Sequence, residues 1–512
     1  MTDSTTAPPR TSRREVVQAM SGLMMGMFMS ILASTIVSNA LPRIIADLNG
    51  SQSVYTWVVT TELLAMTATV PLWGKLADLY SRKLLIQLSL GLFVVGSLIA
   101  GFSPNVEVLI ASRVVQGLGA GGMTALATIV MAAMIPPREL GRYSGIFGAV
   151  FGVGTVAGPL IGGLLVDTEW LGWRWCFFIG VPFTLAAIYL LQRTLHLPVV
   201  RREVKIDYLG AALIVAGVST LLVWTSLAGN EFAWASAWSA VLVAAGVVLL
   251  ALAVWVESRA AEPVVPLSIF ANRTAALATV ASALVGVAMF GGTVFLSQYF
   301  QIGMGKTPTQ AGLMSLPLIF GLLVSSTVAG QLITKWGRWK AFLIAGGVVM
   351  VVGMLLLSTI DAGTTVFVVS VHMAVLGVGV GMLMQNLVLA AQNDVPARDL
   401  GTTTSTLTFF RSLGGAIGVS VLGAVLANRV TSLMAEKFGP VAAGGGEVPD
   451  LAALPEPVRA VVQDIYATAT AELFLIGAPI AAVALIAVLF IKEKPLKTQS
   501  GDERLAAEMA GH

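Results

Sequence analysis

The sequence predicts an all-α polytopic membrane protein of fourteen transmembrane helices, arranged as two six-helix halves with two helices inserted between them. Three observations predict it: an apolar composition, a series of charge-free windows of membrane-crossing length, and an internal repeat. Of 512 residues, 56% are hydrophobic and 11% charged, with a mean hydropathy of +0.86. A soluble domain carries roughly 25% charged residues, so the lipid bilayer is the solvent for most of this chain.

Twelve windows hold no Asp, Glu, Lys or Arg: 16–42, 84–106, 114–137, 143–166, 175–192, 208–230, 232–256, 274–305, 307–334, 341–360, 362–393 and 473–491. Roughly 20 apolar residues cross the hydrocarbon core, so each is a candidate span. Two more candidates carry one charge each, Glu62 in 54–74 and Arg411 in 402–428. The first fifteen residues are polar, and the apolar run after Glu15 is too long for a signal-peptide core; it is expected to stay as the first helix. Fourteen spans put both termini on one side. With the N-terminus in the cytoplasm, 22 of the 30 Lys and Arg residues fall on the cytoplasmic face and six outside, with Arg113 and Arg411 inside spans. That bias favours cytoplasmic N- and C-termini; the expected location is the cell (inner) membrane.

The chain repeats itself. Gly117-Leu-Gly119-Ala-Gly121 matches Gly377-Val-Gly379-Val-Gly381, Arg138-Glu-Leu-Gly141 matches Arg398-Asp-Leu-Gly401, and Gly154, Gly158 and Gly163 match Gly414, Gly418 and Gly423, all at an offset of 260. A further run, Gly74-Lys-Leu-Ala-Asp-Leu-Tyr-Ser-Arg-Lys83, recurs at an offset of 256 as Gly330-Gln-Leu-Ile-Thr-Lys-Trp-Gly-Arg338, with Thr334 in place of Asp78. Parallel duplication of this kind builds transporters from two rocking halves. The expected division is a cytoplasmic tail of 1–15, a first half of 16–195, a linker of 196–273 carrying the seventh and eighth spans, a second half of 274–491 with a flexible outer loop at 430–467 that holds a short amphipathic piece around Val458–Tyr466, and a cytoplasmic tail of 492–512, disordered after Glu493.

Cys176 is the only cysteine, so no intramolecular disulfide forms. His196, His372 and His512 lie far apart and offer no metal-ligand spacing. No cluster of His, Asp or Ser at one membrane face suggests a membrane enzyme, and the tails are too short to carry a sensor domain.

The Gly74–Lys83 run makes a short basic elbow between two apolar windows. It resembles the loop between the second and third helices of the major facilitator superfamily, with Gly74, Asp78, Arg82 and Lys83 in place and Ser81 where the family usually has Gly. Four more runs carry the same resemblance: Ser34-Thr-Ile-Val-Ser-Asn-Ala-Leu-Pro42, Arg113-Val-Val-Gln-Gly-Leu-Gly-Ala-Gly-Gly122, Gly154-Thr-Val-Ala-Gly-Pro-Leu-Ile-Gly-Gly163 and Trp173-Arg-Trp-Cys-Phe-Phe-Ile-Gly-Val-Pro182. With Glu257-Ser-Arg-Ala-Ala-Glu-Pro-Val-Val-Pro-Leu267 they resemble the fourteen-helix drug:proton antiporter branch, over about residues 16–491. The resemblance implies a major facilitator fold and efflux of drugs.

Candidate residues follow. Glu62 lies inside the second span, where a carboxyl can load and release a proton. The resemblance gives Arg113 a part in proton coupling, through a positive charge that approaches or leaves a carboxyl; Gln116, one turn along, shares its polar face. His372 is a lone intramembrane histidine, either a proton site or a simple hydrogen-bonding partner. Asp78 is placed to sit on the positive N-terminal end of the thirteenth span, near Thr402–Thr404. Gly154, Gly158 and Gly162 lie on one face at a spacing of four and admit close helix contact, and Pro159 can kink the helix. Asn39, Gln116, Gln298, Gln301, Gln385, Asn386 and Arg411 are candidate substrate contacts. Arg411 has backbone carbonyls, an anionic lipid group or Glu62 as possible partners. The family often carries an acidic residue before Ser34, and here that position is Ala33.

The expected function is proton-coupled export of amphipathic drugs or antibiotics by alternating access. The expected protein is a monomer that uses the proton gradient, needs no cofactor or metal and binds no nucleic acid. The alternative on the same fold is an exporter of a lipid, siderophore or endogenous metabolite.

Overall fold

A computed structural model describes residues 13–48, 52–139, 150, 152–154, 157–158, 161–162, 164–165, 168, 171–195, 207–228, 232–260, 263–265, 267–438 and 455–510. The labelled helices are α1 (Arg13–Asp47), α2 (Gln52–Leu79), α3 (Arg82–Gly101), α4 (Val106–Met134), α5 (Trp175–Thr194), α6 (Tyr208–Leu227), α7 (Ala237–Glu257), α8 (Arg273–Gln298), α9 (Leu316–Trp336), α10 (Lys340–Leu357), α11 (Val366–Asp394), α12 (Leu400–Phe438), α13 (Glu456–Leu489) and α14 (Gly501–Ala510). Local chemistry sets several starts. The side chains of Asn105, Asp207 and Asn272 accept from the amides of Val108, Gly210 and Ala275 at 2.8–3.0 Å, satisfying donors that a helix leaves open. Gly337, with φ +72°, ends α9 in the left-handed conformation that a side chain disfavours.

Among the described residues, twelve helices are long and apolar enough to cross a membrane. The expectation was fourteen. The 54–74 window forms most of α2, a helix whose Glu62 and threonines keep it from counting among the twelve, and the 143–166 window lies largely outside the described residues.

The helices pack in two groups. In the first, α4 lies against α1, α2 and α3, and α5 against α1 and α3. In the second, α8 lies against α11, α12 and α13, α11 against α9 and α10, and α10 against α13. The sequence repeat is visible in this packing. A Cβ on Gly117 or Gly121 of α4 would meet the Glu62 or Met66 carbonyl of α2 at 2.5 or 2.6 Å. A Cβ on Gly377 or Gly381 of α11 would meet the Leu318 or Leu322 carbonyl of α9 at 2.0 or 2.3 Å. Glycine at these positions lets two backbones touch in each group.

The groups meet along α2 and α12, and the inserted helix α6 packs on both of them. Its buried Ala211, Ile214, Val218 and Leu222 form one stripe at helical spacing. Helix α7 packs on α6, and its terminal Glu257 accepts the amides of Val264 and Val265 at 3.0 Å each, folding back the connection to the second group.

Two expectations are corrected. The 430–467 loop is shorter, because α12 continues to Phe438 and α13 starts at Glu456. Arg429 of α12 and Glu472 of α13 pair at 2.5 and 2.8 Å at the base of these extensions. The tail after Glu493 is ordered by packing and polar contacts. Glu493 accepts the Trp339 and Lys340 amides at 2.9 and 3.2 Å, the buried Trp339 indole donates to the Lys494 carbonyl at 2.9 Å, and Lys494 pairs with Asp394. Asn393 bonds both Pro495 and Lys497. Ser500 and Glu503 then form a reciprocal cap that starts α14. Arg504 donates to the carbonyls of Gln392 and Val395, and Glu508 accepts from the Ala397 amide. A Cβ on Gly501 would meet Leu400 of α12 and Ala132 and Ala133 of α4 together, at 2.8–3.2 Å. The tail therefore spans from the second group to the first.

Candidate functional site

Two constructions bring charged side chains and several hydrogen-bonding partners together in the interior. The first joins α1, α2 and α4. Arg113 is 1% exposed and Glu62 4%. Arg113 Nη2 donates to Glu62 Oε2, Arg113 Nη1 to Gln116 Oε1 at 2.5 Å, and Arg113 Nε to the Val58 carbonyl at 3.3 Å. Gln116 in turn donates to Ser97 Oγ of α3 at 2.8 Å, and Ser34 Oγ of α1 lies 3.4 Å from Glu62 Oε2. The Arg113 ring-face neighbour is Phe177 of α5, 6.0 Å from the centroid. The local sequence explains the pairing: Gly117 brings the α4 backbone against Glu62 itself, so an arginine one turn earlier reaches the carboxylate. A charge buried this far is tolerated only when paired and hydrogen-bonded.

The pair is built once. At the repeat offsets, Glu62 corresponds to Leu318 and Arg113 to Met373. The fold closes the same α-helical contact in the second group with apolar side chains, so the ion pair is not a requirement of the packing.

The second construction joins the two groups. Asp78, at the end of α2, accepts the Gly401 amide on Oδ1 at 3.0 Å and the Thr402 amide and hydroxyl on Oδ2 at 2.8 and 2.6 Å. The carboxylate thus occupies the N-terminal end of α12, where free amides and the helix dipole favour a negative charge. One turn back, Gly74 faces Ser405 of α12: a Cβ there would meet Ser405 Oγ at 1.9 Å. Arg82 Nε donates to the Ala77 carbonyl at 3.3 Å and Lys83 Nζ to the Gln192 carbonyl of α5 at 2.7 Å. These last two fasten the elbow within the first group.

The other sequence candidates scatter. Gly154, Gly158 and Gly162 face α1, where added Cβ atoms would meet Ile31, Thr35 and Ile36; Thr35 Oγ1 donates to the Gly154 carbonyl at 3.1 Å. That glycine face closes on a helix of its own group. Pro159 lies outside the described residues, as does the Asn39 side chain. His372, on α11, has Leu356 of α10 as its backbone partner and is not brought to Glu62 or Arg113. Asn386 donates to the Met382 carbonyl at 2.7 Å, and its Oδ1 and Gln298 Oε1 are buried with no hydrogen-bond partner. Gln301 donates to Ser297, within its own turn. Arg411 Nη1 is likewise buried with no partner. An apolar cavity of about 750 Å³ lies between Gly152, Val153 and Ala157 of the first group and Leu316, Phe320 and Ala374 of the second.

Sequence reasoning missed Ser34 and Ser97 as supports of the buried pair, because a serine in a membrane helix carries no signal of its partner. It also missed the Gly74–Ser405 contact, though the Gly at the start of the elbow was itself the signal.

Comparison with known proteins places this architecture. Residues 23–419 match the Major Facilitator Superfamily model. An uncharacterised MFS-type transporter of Mycobacterium tuberculosis is 38% identical over 493 residues, covering 94% of this chain and 70% of that protein. The multidrug transporter protein MdtP of Bacillus subtilis is 36% identical over 420 residues, covering 82% of this chain and 77% of its own. Among solved structures, the proton:xylose symporter XylE superposes with a TM-score of 0.63 at 14% identity, covering 97% of this chain and 99% of that one, a likeness of fold. A helical membrane protein, duplicated, with its two groups joined through Asp78 and the start of α12 and with transporters as its relatives, is no enzyme: the chain belongs to the Major Facilitator Superfamily and is a transporter.

Proposed function

We propose that the chain is a proton-coupled exporter of amphipathic organic molecules, of the fourteen-helix drug:proton antiporter type. It works as a monomer in the cell membrane with both termini in the cytoplasm, and needs no cofactor beyond the proton gradient. The observation that carries the reading is the Glu62–Arg113 pair, buried among α1, α2 and α4 and replaced by Leu318 and Met373 in the second half. A proton arriving on Glu62 removes its charge and with it the salt bridge. Among the described residues Arg113 then keeps its hydrogen bonds to Gln116 and the Val58 carbonyl and the Phe177 ring face, all neutral, and the buried positive charge must find a new environment. Protonation is thereby tied to a rearrangement of α2 against α4, and α2 ends on Asp78 at the joint between the halves. Alternating access follows when that joint opens and closes. Relatives named as multidrug transporters, such as the Bacillus subtilis protein, support organic drugs as cargo.

The test is substrate-driven proton movement in proteoliposomes, comparing wild type with Glu62→Gln. Transport that needs a pH gradient in wild type, and downhill exchange without proton movement in Glu62→Gln, is the expected result. Normal proton movement in the variant removes Glu62 from the mechanism.

A further inference from the structure

Arg411 is the charge in the membrane interior that the construction above does not use. Three charged side chains are assigned to the interior of the expected spans: Glu62, Arg113 and Arg411. The first two neutralise each other. Arg411 has no ion pair or hydrogen bond among the described residues, and its Nη1 atom is buried without a partner. It stands eleven residues into α12, ~16 Å from the start of the helix at 1.5 Å per residue, about halfway through a ~30 Å hydrocarbon core. An unpaired cation at that depth is expensive for any fold to keep.

The fold does not ask for it. At the repeat offset of 260, the position of Arg411 is occupied by Phe151. The surrounding packing is that of a close helix pair: Gly286 of α8 lies against the Arg411 carbonyl, Gly414 against Ala283, and Gly418 against Val287. The matching position of the duplicated sequence carries a neutral residue, so the repeat does not call for a charge there, and the positive charge is there for something that binds it. Glu62 does not serve, since Arg113 and Ser34 take its carboxylate. Among the described residues the interior thus carries one uncompensated positive charge, and Ala33 stands where the family often has an acid.

We propose that Arg411 anchors an anionic group, and that the molecules this transporter exports are amphiphiles bearing a carboxylate, sulfonate or phosphate rather than lipophilic cations. This rests on the export reading above and narrows its cargo. A guanidinium binds such groups through two parallel N–H bonds, which also orients the ligand. An anion compensates the interior charge on binding, whereas a cation adds to it. The same chemistry is offered by an anionic lipid headgroup, and the experiment separates the two sources.

The experiment uses the full chain in proteoliposomes and one fluorescent alkyl scaffold in three forms: the carboxylate, its methyl ester and the quaternary ammonium. Wild type, Arg411→Gln and Arg411→Lys are compared in vesicles of zwitterionic lipid alone and with added anionic lipid. The expected result is preferential transport of the carboxylate by wild type. Arg411→Gln lowers carboxylate transport about tenfold, the scale of one charge-assisted contact, and leaves the ester unchanged. Arg411→Lys keeps most of the carboxylate rate. The ester is the control for folding and for the export reading itself: no transport of any form defeats export, while ester transport without preference for the carboxylate overturns the anion proposal alone. An equal loss of all three forms in Arg411→Gln, or a loss that appears only with anionic lipid, overturns Arg411 as a substrate anchor, the latter assigning it to the headgroup.

Discussion

Asp78 and Thr402, 324 residues apart, are joined by two hydrogen bonds to one carboxylate oxygen, from the Thr402 amide and hydroxyl. With the Gly401 amide on the other oxygen, the end of α2 is fastened to the start of α12. Hydrogen bonds to a charged group are each worth about 1.5–3 kcal/mol. Asp78→Asn is expected to shift the equilibrium away from this joined state by about 1–3 kcal/mol, and Thr402→Val by less, since both backbone amides remain. Spin-label distances between α2 and α12 near the joint would lengthen in that order. Unchanged distances in Asp78→Asn would show that other contacts hold the joint.

Gly74→Ala tests the same joint by size rather than charge. The added methyl would sit 1.9 Å from Ser405 Oγ, so α2 and α12 must part. Overpacking of this kind costs about 1–3 kcal/mol. The double variant Gly74→Ala, Ser405→Gly removes the clashing side chain and is expected to restore most of the transport rate. The single variant Ser405→Gly is expected to behave nearly as wild type.

The buried pair predicts a non-additive stability pattern. Glu62→Leu alone strands Arg113 in an apolar interior, and breaking a buried pair costs about 3–5 kcal/mol. The double variant Glu62→Leu, Arg113→Met installs the side chains that the second half carries at the matching positions, Leu318 and Met373. It is expected to recover most of the thermal stability in detergent while losing proton coupling. A double variant as unstable as the single would mean that the pair supports the fold in a way its counterpart does not need.

Arg504 predicts a local effect. Its guanidinium bonds the carbonyls of Gln392 and Val395 at the end of α11. Burial holds its pKa below the ordinary arginine value, yet the group remains charged at neutral pH. Arg504→Ala is expected to release α14 without unfolding the spans. Amide exchange over 495–508 would rise, with α8–α13 unaffected.

Much of this architecture was legible in the chain. Charge-free windows located the spans, because a bilayer admits little else. The 260 offset located the duplication, because glycines that bring backbones together cannot be exchanged for larger residues. Even the seat of Asp78 could be read, since a carboxylate next to a helix start has an obvious use. What could not be read were contacts with no periodic or compositional mark: Ser34 and Ser97 beneath the buried pair, and α6 lying across α2 and α12. The tail shows the limit most plainly. Its polarity suggested disorder, yet its Glu493, Lys494, Arg504 and Glu508 are polar because they bond backbone and side-chain groups at helix ends. Composition reports that a segment avoids lipid and is silent on whether it meets protein.

The tail also makes the molecule its own reporter. Gly501 touches both Leu400 and the Ala132–Ala133 end of α4, a contact that exists only while those two ends are near each other. The sole cysteine, Cys176, is fully buried. A thiol dye on Glu503→Cys would therefore label one place, next to the contact, and its brightness would track each opening of that face in real time during turnover, with no second label and no cysteine-free background.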